Sequence, residues 1–175
     1  MHSLNQDLEH FLASVEKKGL RIAQFSCSSS DEGFDLLQDA MIRFVERYSH
    51  KPQEEWKPLF YRILRNRIKD RHRREAVRAK VLRRNTPRDG NSGHGVEELP
   101  GPMHDNPEQA LASDTAILTL QTALRALPEK QRQAFLFRQW EGMSVAETAV
   151  AMKVSQGSVK THYSRAVHSL RQHLE

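Results

Sequence analysis

The residues best suited to chemistry lie close to the C-terminus. From about Gln156 towards Leu174 the apolar positions recur at helical spacing. At about 100° per residue, Val159, Tyr163, Ala166 and Leu170 fall on one side of a helix. Thr161, Ser164, Arg165 and His168 fall on the other, flanked by Ser158 and Lys160. Short hydroxylated side chains allow close approach to a partner, and lysine or arginine can address phosphates and guanine edges. A helix that enters a major groove needs this combination. The competing reading is an ordinary solvated face on a three-helix bundle. His162 and His168 have no cysteine or carboxylate at ligand spacing, so they read as surface or phosphate-facing histidines and no metal is expected.

The elements before this helix have the order that would present it. Ser144-Val145-Ala146-Glu147 is a capping-box pattern, with a serine N-cap and a glutamate three residues on. The short helix it opens should turn Val145, Ala149 and Met152 inward. Lys153-Val154-Ser155 then makes a tight turn into the long helix, the spacing of a helix-turn-helix. Upstream, Ile117, Leu120, Leu124 and Leu127 mark one helix that Pro128 ends. Pro128 suits the first position of the next helix, and Glu129 suits its N-terminal dipole. Ala134, Phe135, Leu136, Phe137 and Trp140 are the apolar content of that helix, and Gly142 is free to take a left-handed exit turn.

The first half of the chain is also helical by periodicity. Leu37, Ala40, Met41, Phe44, Val45 and Tyr48 form one stripe, opposite Asp35, Gln38, Asp39, Arg43 and Glu46. Leu8, Phe11, Leu12, Val15, Leu20 and Ile22 predict one or two helices before it. The run Ser28-Ser29-Ser30-Asp31 reads as a linker ending in an N-cap. A loop broken by Pro52 covers His50 to Glu55. A further helix is predicted from Trp56 to roughly Arg74, with Leu59 or Phe60, Ile63, Leu64 and Ile68 as its apolar side. From Asn85 to about Pro107, prolines and glycines interrupt every helical pattern, which predicts an acidic, mobile linker.

Charge follows the same divisions. The 175 residues carry a formal net charge of +5. Residues 1–61 are net −3, residues 62–84 net +9, residues 85–116 net −5 and residues 117–175 net +4. Two basic blocks separated by an acidic one imply two surfaces that meet a polyanion. The single cysteine, Cys27, excludes an internal disulfide and fits a reducing compartment. The N-terminus lacks a signal-peptide pattern and no apolar run has transmembrane length, so a cytoplasmic location is expected. Clustered carboxylates, a phosphate-binding glycine loop and a nucleophile motif are all missing from the sequence, which argues against an enzyme such as a nuclease.

Three stretches together resemble region 4 of sigma-70-type factors. They are Leu127-Pro-Glu-Lys-Gln-Arg-Gln-Ala-Phe-Leu-Phe-Arg, Trp140-Glu-Gly-Met-Ser-Val-Ala-Glu-Thr-Ala and Gly157-Ser-Val-Lys-Thr-His-Tyr-Ser-Arg-Ala. Phe34-Asp-Leu-Leu-Gln-Asp-Ala-Met-Ile-Arg-Phe and Leu59-Phe-Tyr-Arg-Ile-Leu-Arg-Asn-Arg-Ile-Lys-Asp resemble region 2. Leu59-Phe60 stands where the family usually has Trp-Leu, with Trp56 nearby, and Cys27-Ser-Ser-Ser replaces the usual connection. No stretch between the two blocks is long enough for a third domain, as in the extracytoplasmic-function group.

The resemblance implies an all-α fold of two small helical domains joined by a flexible acidic linker. Residues 1–84 would form the region 2-like domain, 85–113 the linker and 114–175 the region 4-like helix-turn-helix domain. It implies a non-catalytic subunit that binds core RNA polymerase and directs it to promoter DNA, with no cofactor and no small-molecule substrate. An anti-sigma factor is a further partner that the resemblance leaves open. Asp35, Gln38 and Asp39 would face the polymerase, where carboxylates one turn apart can pair with arginines. Trp56, Tyr61, Arg62, Arg65, Asn66, Lys69 and Arg73 would meet minus-ten DNA. The loop His50–Glu55 would hold a flipped base. Trp56, Phe60 and Tyr61 are available for stacking, although each also suits a core position. The basic tail Arg71–Arg84 would add phosphate contacts, and the acidic linker would thread towards the polymerase's RNA channel. Ser158, Lys160, Thr161, His162, Ser164 and Arg165 would read the minus-thirty-five element. A regulator that uses the same helix-turn-helix without polymerase is the main rival, and an interaction adaptor is another.

Overall fold

The computed structural model describes residues 2–27, 30–85 and 119–174, and among these the regular structure is all helix. Helices α1 (His2–Phe25), α2 (Ser30–Tyr48) and α3 (Gln53–Asn85) form the first half. The second half has α4 (residues 119–126), α5 (Glu129–Phe135), a π-helical segment (Leu136–Trp140), α6 (Val145–Met152) and α7 (Gln156–Leu174). The expected acidic linker, apart from Asn85, and the Ile117 end of α4 lie outside the described residues, as do Ser28 and Ser29 of the serine run.

An aromatic cluster organises the first half. Phe44 is fully buried, with ring centroids 5.1 Å from Phe11 and 6.1 Å from both Trp56 and Phe60. Phe11 comes from α1, Phe44 from α2, and Trp56 and Phe60 from α3, so one contact set ties all three helices. Gly33 permits the close crossing of α2 over α1. A Cβ there would lie 2.8 Å from Gln24 Cγ and 3.2 Å from the Gln24 backbone nitrogen. The N-terminal apolar positions therefore belong to one helix, since α1 is continuous through Phe25.

Helix α3 departs most from expectation. It starts at Gln53, so the proline-broken loop is shorter than His50–Glu55, and it runs on to Asn85 instead of ending near Arg74. Thirty-three residues span about 50 Å. Its first half is buried on more than one side: Trp56, Leu59, Phe60, Tyr61, Leu64 and Ile68 are all buried. The reason is that α3 packs against α1 and α2 and also against α6 of the second half. The buried apolar side chains of both halves form one connected core.

The second half is built by strong local signals. Pro128 occupies the N-cap of α5, one position earlier than expected, and its carbonyl accepts from the Gln131 and Arg132 backbone N–H groups at 2.9 and 3.0 Å. The π segment places Leu136 and Phe137 both inward and leaves Trp140 exposed, because the wider turn changes the register of the residues after it. Gly142 takes φ +64° in the exit turn, the left-handed conformation that glycine adopts without steric cost. The capping box is complete. Ser144 Oγ accepts from the Glu147 N–H at 3.1 Å, and the Ser144 N–H donates to Glu147 Oε2 at 2.7 Å. Those hydrogen bonds from Ser144 hold the Glu147 carboxyl below its ordinary range. In α6 the buried positions are Thr148, Ala151 and Met152, with Val145 and Ala149 only half-buried. Lys153 ends α6 in a left-handed conformation, φ 53°.

Candidate nucleic-acid interface

Helix α7 displays the two faces its spacing predicts. Val159, Ala166 and Leu170 are buried, and Tyr163 is half-buried. Lys160, Thr161, Ser164, Arg165 and His168 are exposed, while Ser158 and His162 are half-exposed at its edge. The first turn is pinned by Ser155, whose Oγ accepts from the Ser158 N–H at 3.2 Å and lies 2.9 Å from the Ser158 hydroxyl. Thr161 Oγ1 donates to the Gly157 carbonyl at 3.1 Å, leaving its lone pairs outward. Lys160 and Arg165 make no side-chain hydrogen bond or ion pair among the described residues. Two uncommitted cations over a row of hydroxyls can bind phosphate oxygens and accept or donate at base edges.

The α3 set is divided. Lys69 and Arg73 are exposed, and Asn66 is half-exposed. Arg62 donates to the Tyr48 hydroxyl at 3.3 Å and lies 5.7 Å from the Tyr48 ring centroid. Arg65 is held across the junction, its Nε donating to Gln133 Oε1 at 3.0 Å. Trp56 and Tyr61 are corrections to the stacking role, since both are buried and offer no ring face to a base in this arrangement. Trp56 instead shapes the turn before α3, its indole N–H donating to the Lys51 carbonyl at 2.7 Å. Tyr61 packs on Phe137 of the second half with centroids 5.4 Å apart. Of the basic tail, Arg73, Arg74, Arg78 and Lys80 are exposed on continuous helix, whereas Arg71 pairs with Glu32 and Glu75.

On α2, Asp35 and Gln38 are exposed as expected. Asp39 is engaged within the chain, accepting from Arg43 Nε at 3.0 Å and from Arg67 Nε. Burial pushes its carboxyl up, but the two arginines outweigh that and hold it below the usual carboxylate range. Sequence reading missed Phe34 and Ile42, which are 50% and 58% exposed on the same stretch of helix. The available signal was the i, i+4, i+8 row Phe34-Gln38-Ile42 on the polar side. Exposed apolar groups among carboxylates are a common feature of docking surfaces.

The junction between the halves contains a buried carboxylate with no counterpart in the sequence reading. The Glu141 side chain is 2% exposed. Lys57 Nζ donates to the Glu141 carbonyl at 2.5 Å and lies 3.8 Å from its Oε2. The Tyr61 hydroxyl is close to this carboxylate without closing a hydrogen bond of ordinary geometry. Burial pushes the Glu141 carboxyl up, more than the Tyr61 hydroxyl and the Lys57 and Lys18 ammonium groups pull it down. Burial and the Glu141 charge together push the Tyr61 hydroxyl far above its ordinary value. A raised carboxyl pKa means that the folded state binds this proton more tightly than the unfolded chain. The associated penalty is therefore present above the folded pKa and disappears as pH falls to the ordinary value of 4.5. Glu141→Gln should raise the melting temperature at pH 7 and flatten its dependence on pH in this window. Thermal melts of both proteins across pH check this, and parallel pH profiles would contradict it.

Residues 117–170 match the family described as sigma-70, region 4. The chain is 31% identical over 169 residues to an RNA polymerase sigma-E factor of Streptomyces coelicolor, covering 96% of this chain and 86% of that protein. The chain belongs to the sigma-70 family of RNA polymerase sigma factors, in its extracytoplasmic-function group. An RNA polymerase sigma-E factor of Streptomyces antibioticus is 34% identical over 142 residues, covering 81% of this chain and 69% of that one. The ECF RNA polymerase sigma factor SigM of Mycobacterium tuberculosis is 30% identical over 153 residues, covering 83% and 66%. Among solved structures, the sigma factor RpoE in complex with the anti-sigma factor NepR from Bartonella quintana has the same fold. Its TM-score is 0.69 at 20% identity, covering 99% of this chain and 98% of that one. As a sigma factor, the chain acts in transcription initiation. Among the described residues, no helix is long and apolar enough to cross a membrane.

Proposed function

We propose that this sigma factor binds core RNA polymerase through the exposed face of α2 and directs it to promoters whose minus-ten and minus-thirty-five elements are read by α3 and α7. The observation that carries the reading is the outward face of α7, where Lys160 and Arg165 stand exposed and uncommitted on the second helix of a helix-turn-helix. Residues 1–84, 85–113 and 114–175 are then the polymerase-binding and melting domain, the linker and the minus-thirty-five domain.

The packed arrangement adds a condition. The two elements lie roughly 25 base pairs apart, or about 85 Å at 3.4 Å per step. Two halves that share a core across Tyr61 and Phe137 do not bridge that span, so they part before both elements are read. Parting frees Arg65 from Gln133, returning it to the minus-ten surface. The RpoE chain with the same fold was captured with the anti-sigma factor NepR. A protein that keeps the halves of this chain together would restrain it.

Retention on immobilised core polymerase tests the α2 assignment. The full chain should be retained, and Asp35→Ala combined with Gln38→Ala should weaken retention about tenfold or more, on the order of 1.4 kcal/mol. Full retention of the double variant would overturn the α2 assignment. No retention of the unmodified chain would favour a regulator that binds DNA alone.

A further inference from the structure

A cavity of about 350 Å³ lies where the last turn of α2, the middle of α3 and the end of α6 meet. Arg43, Arg47, Arg62, Arg67, Asn66 and Lys153 line it together with Tyr48 and Ile63, and among the described residues no carboxylate does. From outside the lining, Asp39 pairs with Arg43 and Arg67, and Asp70 lies 3.7 Å from Arg67 Nη1, which leaves Arg47, Arg62 and Lys153 without a carboxylate partner among the described residues. Arg62 donates to the Tyr48 hydroxyl. Arg47 and Lys153 are exposed and have no side-chain hydrogen bond or ion pair among the described residues.

Lys153 comes from the second half, so its charge joins the four arginines of α2 and α3 only while the halves are packed together. Its left-handed backbone, φ 53°, fixes the direction in which the side chain leaves α6. Gathering an ammonium group beside several guanidinium groups is unfavourable unless an anion offsets it. Guanidinium forks match phosphate oxygens two at a time, and lysine adds a mobile point charge. The volume is at the small end of the range for ligand sites, roughly 300–1,000 Å³, which suits one or two phosphate groups.

We propose that this cavity binds a phosphate-bearing anion, held jointly by both halves, and that the bound anion favours the packed arrangement over the open one. The preference follows from linkage: a ligand that contacts Arg47 and Lys153 together binds only where both are present, and so shifts the population towards that state. The site goes beyond promoter reading, although it shares Arg62 and Asn66 with the proposed minus-ten surface. The phosphates can come from a free anion or from a nucleic-acid strand.

The full chain is titrated with pyrophosphate by calorimetry, with sodium chloride matching the ionic strength, and small-angle scattering follows its radius of gyration. Saturable binding of one pyrophosphate and a more compact particle are expected. Lys153→Asn, which keeps a residue tolerant of the left-handed conformation, and Arg47→Gln should each weaken binding tenfold or more. Lys17→Gln, an exposed cation on α1, should leave it unchanged. A parallel titration uses a short single-stranded oligonucleotide. Dependence on Lys153 with pyrophosphate assigns the site to a free anion, and dependence on Lys153 with the oligonucleotide alone assigns it to strand phosphates. Binding that ignores Lys153 in both titrations, or none beyond that of chloride, overturns the proposal. Core-polymerase retention does not involve Lys153, so failure here is distinguishable from failure of the sigma-factor reading.

Discussion

Changing Lys160 and Arg165 together to alanine is expected to reduce promoter-directed transcription by roughly 30-fold or more while leaving the fold intact. Each cation that reaches a base edge or phosphate contributes about 1–3 kcal/mol, so the pair is worth at least about 2 kcal/mol of promoter affinity. Neither residue has a partner among the described residues, and both are exposed, so stability should change by no more than about 0.5 kcal/mol. Run-off transcription with core polymerase on a genomic template library measures the first effect, and urea unfolding the second. Unchanged start sites in the double variant would refute α7 as the minus-thirty-five reader. Loss of activity together with loss of fold would show that the face is structural.

Phe44→Ala should have the largest effect on stability. The ring is fully buried and touches aromatic groups from both other helices of the first half, Phe11, Trp56 and Phe60. Truncating a buried phenylalanine costs about 3–5 kcal/mol. Against a typical total of roughly 5–15 kcal/mol, that leaves the first half marginal or unfolded. Phe34→Ala on the same helix removes a ring that is 50% exposed and should change stability by less than about 0.5 kcal/mol. Its loss should appear in polymerase retention if the exposed face of α2 is the docking surface. Urea midpoints for the two variants separate the roles, and equal destabilisation by both would contradict the division of α2 into a core face and a docking face.

What could be read in advance was local. The capping box at Ser144 and Glu147, the left-handed Gly142 and the two faces of α7 each depend on residues within a few positions of one another. Periodicity and turn chemistry therefore reveal them. The misreadings share a different cause. Trp56 and Tyr61 look like aromatic platforms on a basic helix because sequence does not show that α3 is packed from two sides. Tyr61 is buried by Phe137, and Lys57 meets Glu141 across 84 residues of sequence. The last turns of α3 are not legible in the sequence because, with Val77 and Val81 exposed, they lack the apolar stripe that marks a packed helix. Exposed Trp140 follows from a π turn, which changes register without a composition signal. Asp39 shares the polar side of α2 with Asp35 and Gln38, but Arg67 from α3 engages it, a contact that spacing along α2 does not reveal.

The most direct test of the account is run-off transcription on a genomic template library by core polymerase with and without this protein. New start sites should appear only when polymerase and protein are present together, preceded by a shared pair of sequence elements at fixed spacing. An unchanged set of start sites, with the protein binding the same DNA equally well in the absence of polymerase, would contradict it.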